Sequence, residues 1–239
     1  MNCIFCATGE TGFKKNLTSS EIIQQVLFFT RLLKKDNQRV DNVVFMGMGE
    51  PFLNYENVME AIKMLNNQKW GMSIGSRHIS VSTVGIIEGI KKMTREPLQL
   101  NLAISLHAPN NELRSKIVPA NKKYPIEKIL EATDKYLEST GRKVMFEYIM
   151  IKDLNDSEEC AKELAGLLKK MKSRLWFVNL IPCNDNAGFK PSSPEQIIKF
   201  RKTLENLGVM STQRYSFGDD IKAACGQLAL RAQFEHYYY

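Results

Sequence analysis

Apolar residues along this chain fall into two alternating patterns, helical stripes and short unbroken runs, and the alternation predicts helices and strands in turn. Thr18 and Glu21 form a capping-box pair that opens a helix with Ile22, Val26, Phe29 and Leu33 on one stripe, closing at Lys34-Lys35. Residues 42–46 (NVVFM) read as a strand that ends in glycines. Asn54 is placed to cap a second helix with Val58, Ala61, Ile62 and Leu65 on one face. Strands follow at 78–83, 98–106, 144–151 and 175–181. Between them lie a short helix at 86–93, a helix with Pro125 in its first turn carrying Ile126, Ile129, Leu130 and Leu137, and a helix at 157–171. Ser193-Pro194-Glu195-Gln196 starts a last helix that reaches Leu207 and stops at Gly208.

Strand and helix in regular succession, with strands too continuously apolar to be half-solvated, predict an α/β fold with a parallel sheet covered by helices. About six such units fit the length. A doubly wound sheet and a β/α barrel both satisfy the pattern. The unusual residues choose between them. The cysteines near the start, residues 47–51, Ser82, Ser105 to His107 and Asn184 all map to the carboxyl ends of successive strands, where a barrel gathers its active-site loops. With no repeat, linker or low-complexity tract, residues 1–239 read as one barrel domain.

Composition changes this picture little. The 44% hydrophobic and 25% charged content is ordinary for a globular protein. No apolar run is long enough to span a membrane, no signal segment is evident, and five unevenly spaced cysteines argue against a secreted disulfide scaffold, so a cytoplasmic protein is expected. The formal charge of +7 is carried by basic pairs such as Lys14-Lys15, Lys34-Lys35 and Lys169-Lys170. They suit solvated helix ends, or a surface that contacts phosphates.

Cys3 and Cys6 enclose Ile-Phe, and that spacing can serve a metal, a redox dithiol or neither. Taken with Gly47-Met48-Gly49-Glu50-Pro51, the pair resembles the radical S-adenosylmethionine (SAM) enzymes, whose signature is C-x3-C-x-F-C. The string Ser105-Leu106-His107-Ala108-Pro109, residues 147–150 (EYIM), 179–182 (NLIP) and 217–228 (FGDDIKAACGQL) narrow the resemblance to the adenine-C2 RNA methyltransferases (RlmN) and their C8-methylating relatives (Cfr).

The resemblance implies a partial (β/α)6 barrel. It also implies a 4Fe–4S cluster, with Cys3 and Cys6 among its ligands. SAM would be bound by Gly49, Glu50, Ser82, Ser105, Leu106, His107 and Asn184. Cys225, in a C-terminal segment 217–230, would carry a methyl group from one SAM, activated by a radical from a second. The implied partners are 23S rRNA, tRNA and a flavodoxin-like electron donor. In the family a third cluster cysteine lies four positions before Cys3, and an upstream cysteine pairs with the methyl-carrying one as a disulfide. Neither is present in this sequence, nor is the family's amino-terminal domain, so the chain is expected to be a truncated and impaired form. Cys160 and Cys183 read as structural. A C8 methyltransferase and a non-catalytic SAM- or RNA-binding remnant are the alternatives.

Overall fold

In the computed structural model, which describes residues 1–6, 8–9, 12–184 and 188–214, six parallel strands form one sheet in sequential order. These are β1 (Val43–Phe45), β2 (Ile79–Thr83), β3 (Asn101–Ser105), β4 (Val144–Met150), β5 (Trp176–Pro182) and β6 (Ser211–Gln213). Parallel neighbours need long crossovers, and helices supply them. These are α2 (Tyr55–Asn66), α3 (Ile87–Met93), α4 and α5 (Asn111–Ile117 and Ile126–Thr140), α6 (Glu158–Leu168) and α7 (Pro194–Asn206), with α1 (Ser19–Lys34) ahead of β1.

The sheet curls. Arg214, just past β6, donates from Nη1 to the Sδ of Met46, just past β1, at 3.4 Å. The first and last strands therefore approach each other without pairing, which makes an open β/α barrel. Strand alternation divides its two faces. Ile79, Val81, Leu102, Ile104, Val144, Phe146, Tyr148, Val178 and Leu180 pack with the helices as the buried core. Burying each such side chain contributes about 1.5–3 kcal/mol. Their neighbours in sequence, Ser80, Ser82, Asn101, Ser105, Glu147 and Asn179, lie on the opposite, lumenal face. The same face also carries Ala103, Met145, Ile149, Phe177 and Ile181, so the lumen is mixed, with its polar groups beside apolar ones.

Several boundaries differ from the sequence expectation. Phe29, expected on the buried stripe of α1, is 54% exposed, and only Ile22 of that helix is buried. The helix packs on α2 at the sheet's β1 edge, so half of its apolar arc faces away from the core. Asn54 makes no side-chain cap to α2. Its amide donates instead to the carbonyl of Leu17, and the turn before α2 is a 3-10 segment, Pro51–Asn54, capped by Glu50. The strand expected from residue 98 begins at Asn101. Only half of the Ser193 box forms, because the Gln196 amide turns away to the carbonyl of Asp156. The seven-residue α4 and three-residue β6 were too short to give a periodic signal.

Candidate active site

The cysteine loop follows no strand among the described residues, yet it docks where expected. The N–H of Ile4 donates to the carbonyl of Ile117 at the end of α4 (3.1 Å). Phe5 meets the His107 ring edge-on, with centroids 5.0 Å apart, and packs against Ile149, Ile151 and Cys183. These contacts fix Cys3 and Cys6 over the carboxyl ends of β3, β4 and β5. A tight turn, Cys6 N–H to Cys3 C=O at 3.0 Å, brings the two residues onto one loop. Burial first, then the neighbouring Cys6, pushes the Cys3 thiol up to about 11. A thiol so placed stays protonated at neutral pH until a metal displaces the proton.

Gly49 has a φ of +109°, open to glycine and strained for other residues. It delivers Glu50 to the loop's inner side. Both carboxylate oxygens of Glu50 accept backbone N–H groups, Phe52 at 3.0 Å and Val84 at 2.7 Å. The capping role is therefore real. The Thr83 side chain adds a third hydrogen bond, and of the carboxylate's roughly four lone-pair sites one is left for a ligand. Burial pushes this carboxyl up, against the two backbone donors. On the neighbouring strands, the hydroxyls of Ser82 and Ser105 lie 3.4 Å apart on the lumenal face.

After β3 the chain turns sharply. His107 takes a φ of +62°, and the N–H groups of Leu106 and His107 both donate to the carbonyl of Glu147 (3.0 and 3.2 Å). Asn155, fully buried, holds the turn: its amide donates to the carbonyls of His107 (2.9 Å) and Ile149 (2.6 Å), and its oxygen accepts from the Ile151 N–H (2.8 Å). The Nδ1 of His107 accepts from the N–H of Ile149 at 3.1 Å. Burial, reinforced by the charge of Arg114, lowers its pKa to about 3. The ring is therefore neutral, and its proton sits on Nε2, leaving that atom as a donor. Asn184 lies two residues past β5, where its carbonyl accepts from the Cys183 thiol (3.2 Å).

Gly49, Glu50, Ser82, Ser105, Leu106, His107 and Asn184 thus lie along the carboxyl ends of β1, β2, β3 and β5, with Cys3 and Cys6 docked over the same end. Cys225 and the 217–230 segment lie outside the described residues. Three residues of this end were not anticipated. Arg114, fully buried in α4, spends every guanidinium N–H on the loops around the site. Asn155 fixes the His107 turn, and Glu147 sits in the lumen beside Ser105. As donors for an iron–sulfur cluster, Cys3 and Cys6 fit in chemistry and spacing. No third His, Cys, Asp or Glu joins them among the described residues.

An open β/α barrel with a cysteine loop over its carboxyl end is the architecture of one enzyme class, and the comparisons agree. A family model described as "Radical SAM superfamily" matches residues 1–165, and the chain belongs to that superfamily. The chain is 51% identical over 230 residues to a "Probable dual-specificity RNA methyltransferase RlmN" of Dictyoglomus thermophilum, covering 95% of this chain and 65% of that protein. It is 47% identical to "Ribosomal RNA large subunit methyltransferase N" of Nitrosopumilus maritimus, over 95% of this chain and 64% of the relative. The crystal structure of a radical SAM methyltransferase from Sphaerobacter thermophilus superposes with a TM-score of 0.90 at 46% identity, over 95% of this chain and 66% of the other. The chain therefore spans about two thirds of the length of these relatives.

Proposed function

We propose that this chain forms the catalytic barrel of an RNA methyltransferase that uses SAM to place a methyl group on C2 of an adenine in 23S rRNA, and in tRNA. The observation that carries the reading is the meeting of Cys3, Cys6, Glu50, Ser82, Ser105 and His107 at one end of the open barrel, in a chain whose relatives bear the names just given. The "dual-specificity" in the relatives' names is in keeping with more than one RNA substrate. Among the described residues no helix is long and apolar enough to cross a membrane, in keeping with a cytoplasmic enzyme served by a flavodoxin-like electron donor.

Cys3 and Cys6 would hold two corners of a 4Fe–4S cluster, with the third donor coming from outside the described residues. When bound, the cluster supplies the electron that cleaves SAM to a 5′-deoxyadenosyl radical. The chain's own groups position the nucleoside and amino-acid parts of SAM. Glu50 offers its remaining acceptor lone pair to an ammonium group, a charge-assisted contact. Ser82 and Ser105 offer hydroxyls that both donate and accept. The neutral His107 offers an Nε2–H donor that does not titrate near neutral pH. Phe5 packs edge-on against that ring and ties the cysteine loop to it. Cys225 is the proposed methyl carrier. The target adenine must leave any stack to expose C2, and the basic surface suits the phosphates around it.

The test is anaerobic reaction of the iron- and sulfide-loaded protein, joined to the family's upstream segment with its third cluster cysteine, with 23S rRNA, followed by mass spectrometry of the nucleosides. The 239-residue chain alone is expected to be inactive or severely impaired. The expected product is 2-methyladenosine, lost completely in Cys225→Ala. An 8-methyladenosine product, or full activity in the alanine variant, would overturn the proposal.

A further inference from the structure

β4 reads Val-Met-Phe-Glu-Tyr-Ile-Met, and its one charged residue, Glu147, faces the lumen at 3% exposure. One carboxylate oxygen, Oε2, accepts from the amide of Asn179 at 3.0 Å. The other, Oε1, is buried and has no hydrogen-bond partner among the described residues. The surroundings are set, not loose: Asn179 is held by the hydroxyl of Thr212, which donates to its Oδ1 at 2.9 Å. Ser105, Glu147, Asn179 and Thr212 are successive register partners across β3, β4, β5 and β6. Ser82 adjoins this row through Ser105. Among the described residues Glu147 makes no ion pair at contact distance; burial pushes its carboxyl up, opposed by the Asn179 amide and by the charge of Arg214.

A buried carboxylate oxygen without a donor is destabilising, since it has lost water and gained nothing in return. A residue whose only role was packing would be apolar here, as Phe146 and Tyr148 are on the other face. From the orphaned oxygen in a preset polar row we infer that Glu147 is a binding residue of the barrel lumen, whose Oε1 accepts a hydrogen bond from a hydroxyl or ammonium donor of bound SAM. The inference rests on the proposed SAM chemistry and adds a residue to the site.

The opposed effects on stability and affinity make it testable. Glu147→Gln keeps the shape and can still accept from Asn179, but turns an NH2 donor toward the ligand. Glu147→Met removes the acceptor outright. Folded Glu147→Met is expected to melt at or above the wild-type temperature, because a buried unpaired carboxyl oxygen is gone, and Glu147→Gln close to it, since an unpaired amide takes that place. Each is also expected to bind SAM at least about tenfold more weakly by calorimetry, the loss of one charged hydrogen bond. Titrating methionine and 5′-deoxyadenosine separately assigns the lost contact to the ammonium or to the hydroxyls. Unchanged SAM affinity in either variant overturns the inference, as does a parallel fall in melting temperature and affinity, which marks a structural role. Wild-type protein that binds no SAM overturns the proposed function with it.

Discussion

Arg114→Met is expected to cost about 4 kcal/mol or more of folding stability, a large share of the 5–15 kcal/mol typical of a domain. The side chain is fully buried, and all five of its N–H groups are used. Nε donates to the carbonyl of Leu106 (2.9 Å), Nη1 to Asn121 Oδ1 (2.9 Å) and to the carbonyl of Tyr124 (3.1 Å), and Nη2 to the carbonyls of Val84 (2.6 Å) and Ser105 (3.1 Å). Every acceptor is neutral. One guanidinium thereby ties together the loop after β2, the end of β3, α4 and the segment before α5. Removing it orphans acceptors in the loop after β2, at the end of β3 and in the segment before α5, at about 1–3 kcal/mol apiece where no water replaces it. Arg114→Lys keeps the charge but offers three donors in place of five, and is expected to lose about half as much. Urea denaturation of the two variants measures both values. A methionine variant within about 1 kcal/mol of wild type would mean that water satisfies those carbonyls.

Acid sensitivity is the second large effect expected. In the folded protein His107 stays neutral down to about pH 3, held there by burial and by the charge of Arg114, while in the unfolded chain it titrates near 6.5. A base whose folded pKa is depressed is disfavoured by protonation in the fold only. Its contribution is complete above the unfolded value and is lost as pH falls from about 6.5 toward 3. Between pH 7 and pH 4.5 that loss amounts to about 2–3 kcal/mol, at 1.36 kcal/mol per pKa unit. The charged and titratable groups around the ring are Arg114 itself, Cys3 and Cys6 on the loop packed over it, and Glu147 on β4. Burial pushes the Glu147 carboxyl up, so it takes up a proton in the fold first and opposes the loss. A His107 variant and the wild type share Glu147, so their difference isolates His107. His107→Asn, which tolerates the left-handed backbone, should flatten the stability–pH curve by that amount in urea titrations at the two pH values. An unchanged slope would place the acid sensitivity elsewhere.

The alternation of helices and strands was legible because each outer strand face is continuously apolar, and the barrel assignment followed from the clustering of unusual residues after successive strands. What escaped was the structure that depends on distant backbone. Phe29 has the spacing of a buried residue, but α1 sits at the sheet edge and has only α2 to cover it. Asn54 has the chemistry of a cap, yet Leu17, far away in sequence, takes its amide. Arg114 looks like a surface residue of a short charged helix, since nothing in a sequence marks the four carbonyls that surround it. Glu147 did leave a sign, a single charge in an apolar strand, and its string was noticed only as a likeness. The site residues implied by resemblance are polar groups on a common end, while the residues that hold them in place belong to the tertiary fold.

The account depends on a methyl group that loses a hydrogen to a radical before it reaches carbon. SAM carrying three deuterium atoms on its methyl group tests this directly, with the 2-methyladenosine of the rRNA weighed by mass spectrometry. Passage through Cys225 predicts a product methyl that retains two donor deuteriums. Retention of all three would show ordinary methyl transfer and contradict the radical route.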